Sequence, residues 1–76
     1  MPPEIEVLKE RFKRLTSRER EVAQLVAQGY SSKELARALS LSRSTVDNHR
    51  ARILEKLQLG NFVQVTRFLS LLAKDR

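Results

Sequence analysis

The stretch that decides the fold is SSKELARALSLSRSTVDNHRARILEKL, Ser31 to Leu57. Ser31 is followed three residues later by Glu34, the pair that builds a reciprocal capping box at a helix start, and Tyr30 can staple to Leu35 across it. One helix therefore starts near Ser31. Ser42 offers a second hydroxyl cap, with Leu41 and Val46 as the apolar pair around it, although Thr45 stands where the Glu of a capping box would be. A second helix starts near Ser42. Leu35, Ala36 and Leu39 form an apolar stripe on the first helix; Val46, Ile53, Leu54 and Leu57 form one on the second. Packing the stripes together, with Ala36 permitting close approach, leaves Arg43, Asp47, Asn48, Arg50 and Ala51 on or beside an exposed surface. The few residues from Leu39 to Leu41 suit a helix-turn-helix, whose second helix would present its first turns to base edges in the major groove of DNA.

Working outward, Thr16 and Glu19 repeat the capping-box signature, and Val22, Leu25 and Val26 supply the buried stripe of a helix ending near Gln28. Gly29 is its stop, at an expected positive φ, and this helix is expected to pack across the central pair. On the other side, after a short connection from Gln58 to Gly60, Asn61 with Gln64 is a third capping-box pair. Phe62, Val65, Phe68, Leu69 and Leu72 then continue as the core face of a final helix. Val63 and Leu71 lean toward other faces of that helix, where they could support a two-fold dimer.

At the start of the chain, Met1 to Pro3 are expected to be loose, because consecutive prolines restrict the backbone and remove amide donors. Ile5, Leu8, Phe12 and Leu15 follow at helical spacing among charged residues. Two readings of residues 1–14 stay open: a short additional helix, or a linker remnant of a longer protein. Residues 15–76 form the expected domain. The fold class is all-α, a compact four-helix domain, with a short N-terminal helix added on the first reading.

A chain of 76 residues makes one small domain that buries only roughly 60% of its extended surface, so partner binding can add stability by linkage. Its 15 Lys and Arg against 9 Asp and Glu give a net charge of +6, which favours an anionic partner without identifying it. The absence of cysteine excludes disulfides and thiolate metal sites, and one histidine argues against a metal centre; no cofactor is expected. Apolar runs of only a few residues provide neither a membrane span nor a signal-peptide core, making a cytoplasmic location the expectation. No Ser/His/Asp arrangement, paired-carboxylate site, Gly-rich phosphate loop or metal-ligand cluster is present, so an enzyme is not expected.

Four fragments in fixed order carry a resemblance: Leu15-Thr16-x-x-Glu19-x-Glu21-Val22, Gly29-x-Ser31-x-Lys33-Glu34-Leu35-Ala36, Leu39-x-Leu41-Ser42-x-x-Thr45-Val46-x-x-His49-Arg50, and Lys56-Leu57. Together they resemble the C-terminal helix-turn-helix domain of the LuxR/FixJ/GerE-type transcription regulators, from Leu15 to roughly Leu69. The resemblance implies sequence-specific duplex-DNA binding, homodimers on inverted or pseudo-inverted half-sites, and activation or repression of transcription, with RNA polymerase as a further contact. In many members the domain follows a phosphoacceptor receiver or an autoinducer-binding domain. Neither fits in this chain, which reads as a stand-alone regulator or as the output domain of a response regulator.

By the same resemblance, Asp47, Asn48 and Ala51 match the positions that meet base edges, and Thr16, Lys33, Ser42, Arg43, Thr45, Arg50 and Lys56 match phosphate contacts. Many members carry a basic residue where Asp47 stands, and some carry Lys at Ala51. Asp47 can accept from cytosine N4, whereas Asn48 can both donate to and accept from adenine. The plainer alternatives are that Asp47 is a solvated charge or a partner of Arg43 or Arg50, that Lys56 pairs with Glu55, and that Thr45 caps its helix locally. The family position that His49 matches implies an interhelical hydrogen bond or a neutral phosphate-side contact. Phe62 stands where Arg is common, which exchanges a charged bond or a phosphate contact for core packing. Two rival functions remain: a sigma region 4-like module, and a small interaction or antagonist protein with little DNA affinity.

Overall fold

The computed structural model describes residues 4–74, and all regular structure among them is helical. In chain order the elements are α1 Ile5–Phe12, α2 Ser17–Ala27, α3 Ser32–Leu39, α4 Arg43–Leu57 and α5 Phe62–Lys74. Met1 to Pro3, expected to be loose, lie outside the described residues.

The helix starts are built by the side chains that announce them. Thr16 Oγ1 accepts from the Glu19 amide at 3.1 Å while Glu19 Oε1 accepts from the Thr16 amide at 2.9 Å, and Ser31 with Glu34 makes the same exchange at 3.2 and 2.9 Å. The Ser31 amide and hydroxyl thereby hold the Glu34 carboxyl below its ordinary range. The third start departs from the expected box. Asn61 Oδ1 accepts from the Gln64 amide at 3.1 Å, but Gln64 Oε1 reaches back to the Gly60 amide, at 2.8 Å, instead of the amide of Asn61.

The ends of α2, α3 and α4 share one device. An amide just past the helix bonds back to the carbonyl five residues earlier, as Tyr30 to Leu25 at 3.1 Å, Leu41 to Ala36 at 2.9 Å and Leu59 to Leu54 at 3.1 Å. This closure needs one left-handed residue. Gly29 supplies it after α2 at φ 102°, as its lack of a Cβ favours, but Ser40 and Gln58 supply it after α3 and α4, each at φ 55°. Leu41 and Leu59, the residues that follow, pack against the core and hold those turns in place.

The core gathers Leu15, Val22, Ala23, Leu35, Val46, Ile53, Leu57 and Val65, with Leu8 and Phe68 also buried. α2 packs across the central pair, chiefly on α4 and less on α3, and also lies along α5. α3 packs on α4 as the helix-turn-helix requires. Of the apolar residues expected in the core from α5, Val65 and Phe68 are buried, while Phe62, Leu69 and Leu72 are half-buried.

Residues 5–12, one of whose readings was a linker remnant, form a helix docked on α4 and α5. Leu8 is buried, the Phe12 ring meets Phe68 edge-on at 5.8 Å, and Arg11 Nη1 donates to the Leu57 carbonyl at 3.0 Å. A guanidinium is thus placed at the negative end of α4. Leu15 belongs to neither neighbouring helix and is buried in the turn between them.

Candidate nucleic-acid interface

α4 is anchored along one side by Val46, Ile53 and Leu57, each with no exposed surface, so its other side faces outward. Asp47, Asn48 and Ala51 are all exposed there. Asp47 has no ion pair or hydrogen bond among the described residues, so it is not the partner of Arg43 or Arg50. Its carboxylate is an unspent acceptor on the exposed side.

At the start of α4, Ser42 Oγ accepts from the Thr45 amide at 3.0 Å and donates to Thr45 Oγ1 at 2.8 Å. Thr45 therefore takes part in the local cap while keeping its own hydroxyl proton for another acceptor. Arg43, Lys33 and Thr16 are exposed. Arg50 is half-buried, its guanidinium carbon 4.5 Å from the centre of the Phe62 ring. An exposed guanidinium that the sequence reading passed over is Arg52, one helical turn beyond Asn48. Its helical spacing from Asn48 was the signal that could have found it.

Lys56 turns inward. Its Nζ donates to Glu19 Oε1 at 2.7 Å, with the Glu19 side chain 3% exposed and that of Lys56 34% exposed. The expected alternative partner, Glu55, is not the one it takes. Burial pushes the Glu19 carboxyl upward, but the bond from Lys56, the Thr16 amide, the Lys56 charge and the Thr16 side chain together hold it below its ordinary range. Glu19 thus ties α2 to α4 across 37 residues, a link with no sequence signal because the capping box already accounts for a Glu there. His49 is half-buried and makes no hydrogen bond among the described residues, so the expected interhelical bond is not formed.

Val63 and Leu71 are 72% and 48% exposed on α5. Among the described residues, no group of three His, Cys, Asp or Glu side chains could hold a metal ion, and no helix is long and apolar enough to cross a membrane. The outward side of α4 offers amide, carboxylate, hydroxyl and guanidinium groups, a set suited to polar recognition.

Relatives share most of this chain. It is 43% identical over 56 residues to the tetrathionate response regulatory protein TtrR of Salmonella typhimurium, covering 74% of this chain and 27% of that protein. It is 51% identical over 53 residues to the transcriptional regulatory protein UhpA of Escherichia coli, covering 70% and 27%. With the transcriptional regulatory protein DesR of Bacillus subtilis it shares 48% over 50 residues, covering 66% and 25%. The chain spans about a quarter of the length of these curated relatives. Residues 13–69, which run from the end of α1 through most of α5 and include all of the helix-turn-helix, match the family described as bacterial regulatory proteins, luxR family, and the chain belongs to it.

Proposed function

We propose that this chain is a sequence-specific, duplex-DNA-binding transcription regulator, or the output domain of a longer response regulator, that inserts α4 into the major groove. The observation that carries the reading is the two-sided character of α4. One side is wholly buried by Val46, Ile53 and Leu57, and the other exposes Asp47, Asn48 and Ala51 with no internal partner for Asp47. Asn48 reads a base edge with its paired donor and acceptor, Asp47 accepts from a cytosine amine, and Ala51 gives close apolar approach. Thr16, Lys33, Ser42, Arg43, Thr45 and Arg50 contact phosphates and set the register, with Arg52 added to that group. Lys56, paired with Glu19, supports the interface by holding α4 on α2.

Residues 15–76 are the DNA-binding domain, and residues 1–14 are an extension whose helix docks on it. Val63 and Leu71 are the contacts of a homodimer on inverted or pseudo-inverted half-sites, and RNA polymerase is a further partner. The working location is the cytoplasm, and the role is regulatory, not enzymatic. Family membership and the regulatory names of the relatives favour this reading over an interaction module without DNA affinity.

Selection of bound duplexes from a randomised pool, followed by affinity measurement at two salt concentrations, tests it. A motif should be enriched and bound more tightly than unrelated duplexes. Equal weak binding to all duplexes, with nothing enriched, would sink the proposal.

A further inference from the structure

Three arginines use their donors on oxygen. Arg18 bonds Glu21, Arg11 bonds the Leu57 carbonyl, and Arg20 bonds the Lys13 carbonyl. Arg50 differs. Among the described residues it has neither a hydrogen bond nor an ion pair, yet it is half-buried, with its guanidinium carbon 4.5 Å from the Phe62 ring centre.

An aromatic face attracts a guanidinium through its electron-rich surface without giving its N–H groups an oxygen acceptor. A carboxylate in the same place would neutralise the charge and occupy the donors. Phe62 therefore restrains the side chain and leaves both charge and donors available at the edge of the ring. The ring is itself firmly placed. Phe62 is the first residue of α5 and packs against the core, and the turn before it is closed by Gln64 on the Gly60 amide and by Asn61 on the Gln64 amide, at 2.8 and 3.1 Å.

We infer that Phe62 is a positioning residue for DNA binding: its ring holds the Arg50 guanidinium, charged and with its donors unspent, ready for a phosphate of the duplex. The inference rests on the DNA-binding reading given above. It assigns a role on the interface to a residue of α5 that itself carries no group able to bond a phosphate.

The test uses the whole 76-residue chain, the duplex enriched by that chain, and the variants Phe62→Leu, Phe62→Tyr, Arg50→Ala and Phe62→Leu with Arg50→Ala. Phe62→Leu should weaken binding about threefold, the scale of one part-exposed cation–aromatic contact, and Phe62→Tyr should restore it. In the Arg50→Ala background, Phe62→Leu should cost nothing further. The Arg50 side-chain proton resonances should lie upfield in the wild type and in Phe62→Tyr, through the ring current, and return to ordinary positions in Phe62→Leu. Multiplying losses in the double variant, with or without a lower Tm for Phe62→Leu, would assign Phe62 to core packing alone and overturn the inference. If the wild-type chain enriches no duplex, the DNA-binding reading fails and the positioning role fails with it; if it enriches one but the losses multiply, only the positioning role fails.

Discussion

Glu19 shows how one carboxylate can serve two levels of structure. Its folded-state affinity for a proton is lowered, so the ionised form is favoured by folding, and its contribution is fully present above the ordinary carboxylate value of 4.5. That contribution is lost as pH falls through the depressed folded value. Unfolding measured across acid pH should therefore show stability declining below about pH 4.5, with a shallower decline in Glu19→Gln. At neutral pH the same substitution should cost about 2 kcal/mol, because it removes the charge-assisted bond while Lys56, one-third exposed, can rehydrate. At Asn48 the outcome should be of another kind. Asn48→Ala should relax preference at one base pair by roughly 1–3 kcal/mol and leave Tm unchanged, whereas Arg43→Ala should weaken all duplexes and reduce the salt slope by about one. The exposure of Asp47, Asn48 and Ala51 was legible in the sequence, because the apolar positions of α4 dictate its outward side. The inward turn of Lys56 and the seat of Arg50 on Phe62 were not, since each depends on which distant helix lies alongside α4.

At the scale of the element, starts were easier to read than ends. A hydroxyl or amide side chain ahead of an apolar-periodic run is a local signal, strengthened by a Glu or Gln three residues on, and Thr16, Ser31, Ser42 and Asn61 all cap as read, apart from the further reach of Gln64. Stops depend on backbone conformation, which glycine alone advertises. Gly29 was legible for that reason, whereas Ser40 and Gln58 adopt φ 55° because Leu41 and Leu59 are drawn into the core after them. Ser40→Gly and Gln58→Gly should each raise unfolding free energy by about 1 kcal/mol in denaturant titration, by removing the Cβ from a left-handed residue. Neither should alter the circular-dichroism helix signal of the folded chain.

For the whole molecule, the revealing contacts are those that bring in α1. The spacing of Ile5, Leu8 and Phe12 allowed a helix or a linker, and no local feature could choose, because docking depends on Phe68 and on the carbonyl of Leu57. Phe12→Ala should lower the stability of the entire domain by about 2 kcal/mol in a single cooperative transition, since it removes a ring packed edge-on against the buried Phe68. A separate early transition confined to α1, seen by comparing probes, would contradict that. Assembly can be tested independently: Val63→Glu with Leu71→Glu should leave the monomer fold intact and abolish any dimer detected by light scattering on the enriched duplex.

The two capping boxes at Thr16 and Ser31 form an internal control for how a local bond gains tertiary protection. Their reciprocal bonds have nearly equal lengths, but Glu19 Oε1 also receives Lys56 and is buried, whereas Glu34 is exposed. The first turn of α3 can therefore fray alone, while that of α2 opens only by releasing its hold on α4. Amide hydrogens of Thr16 and Glu19 should exchange with solvent deuterium far more slowly than those of Ser31 and Glu34, and Lys56→Met should erase much of the difference.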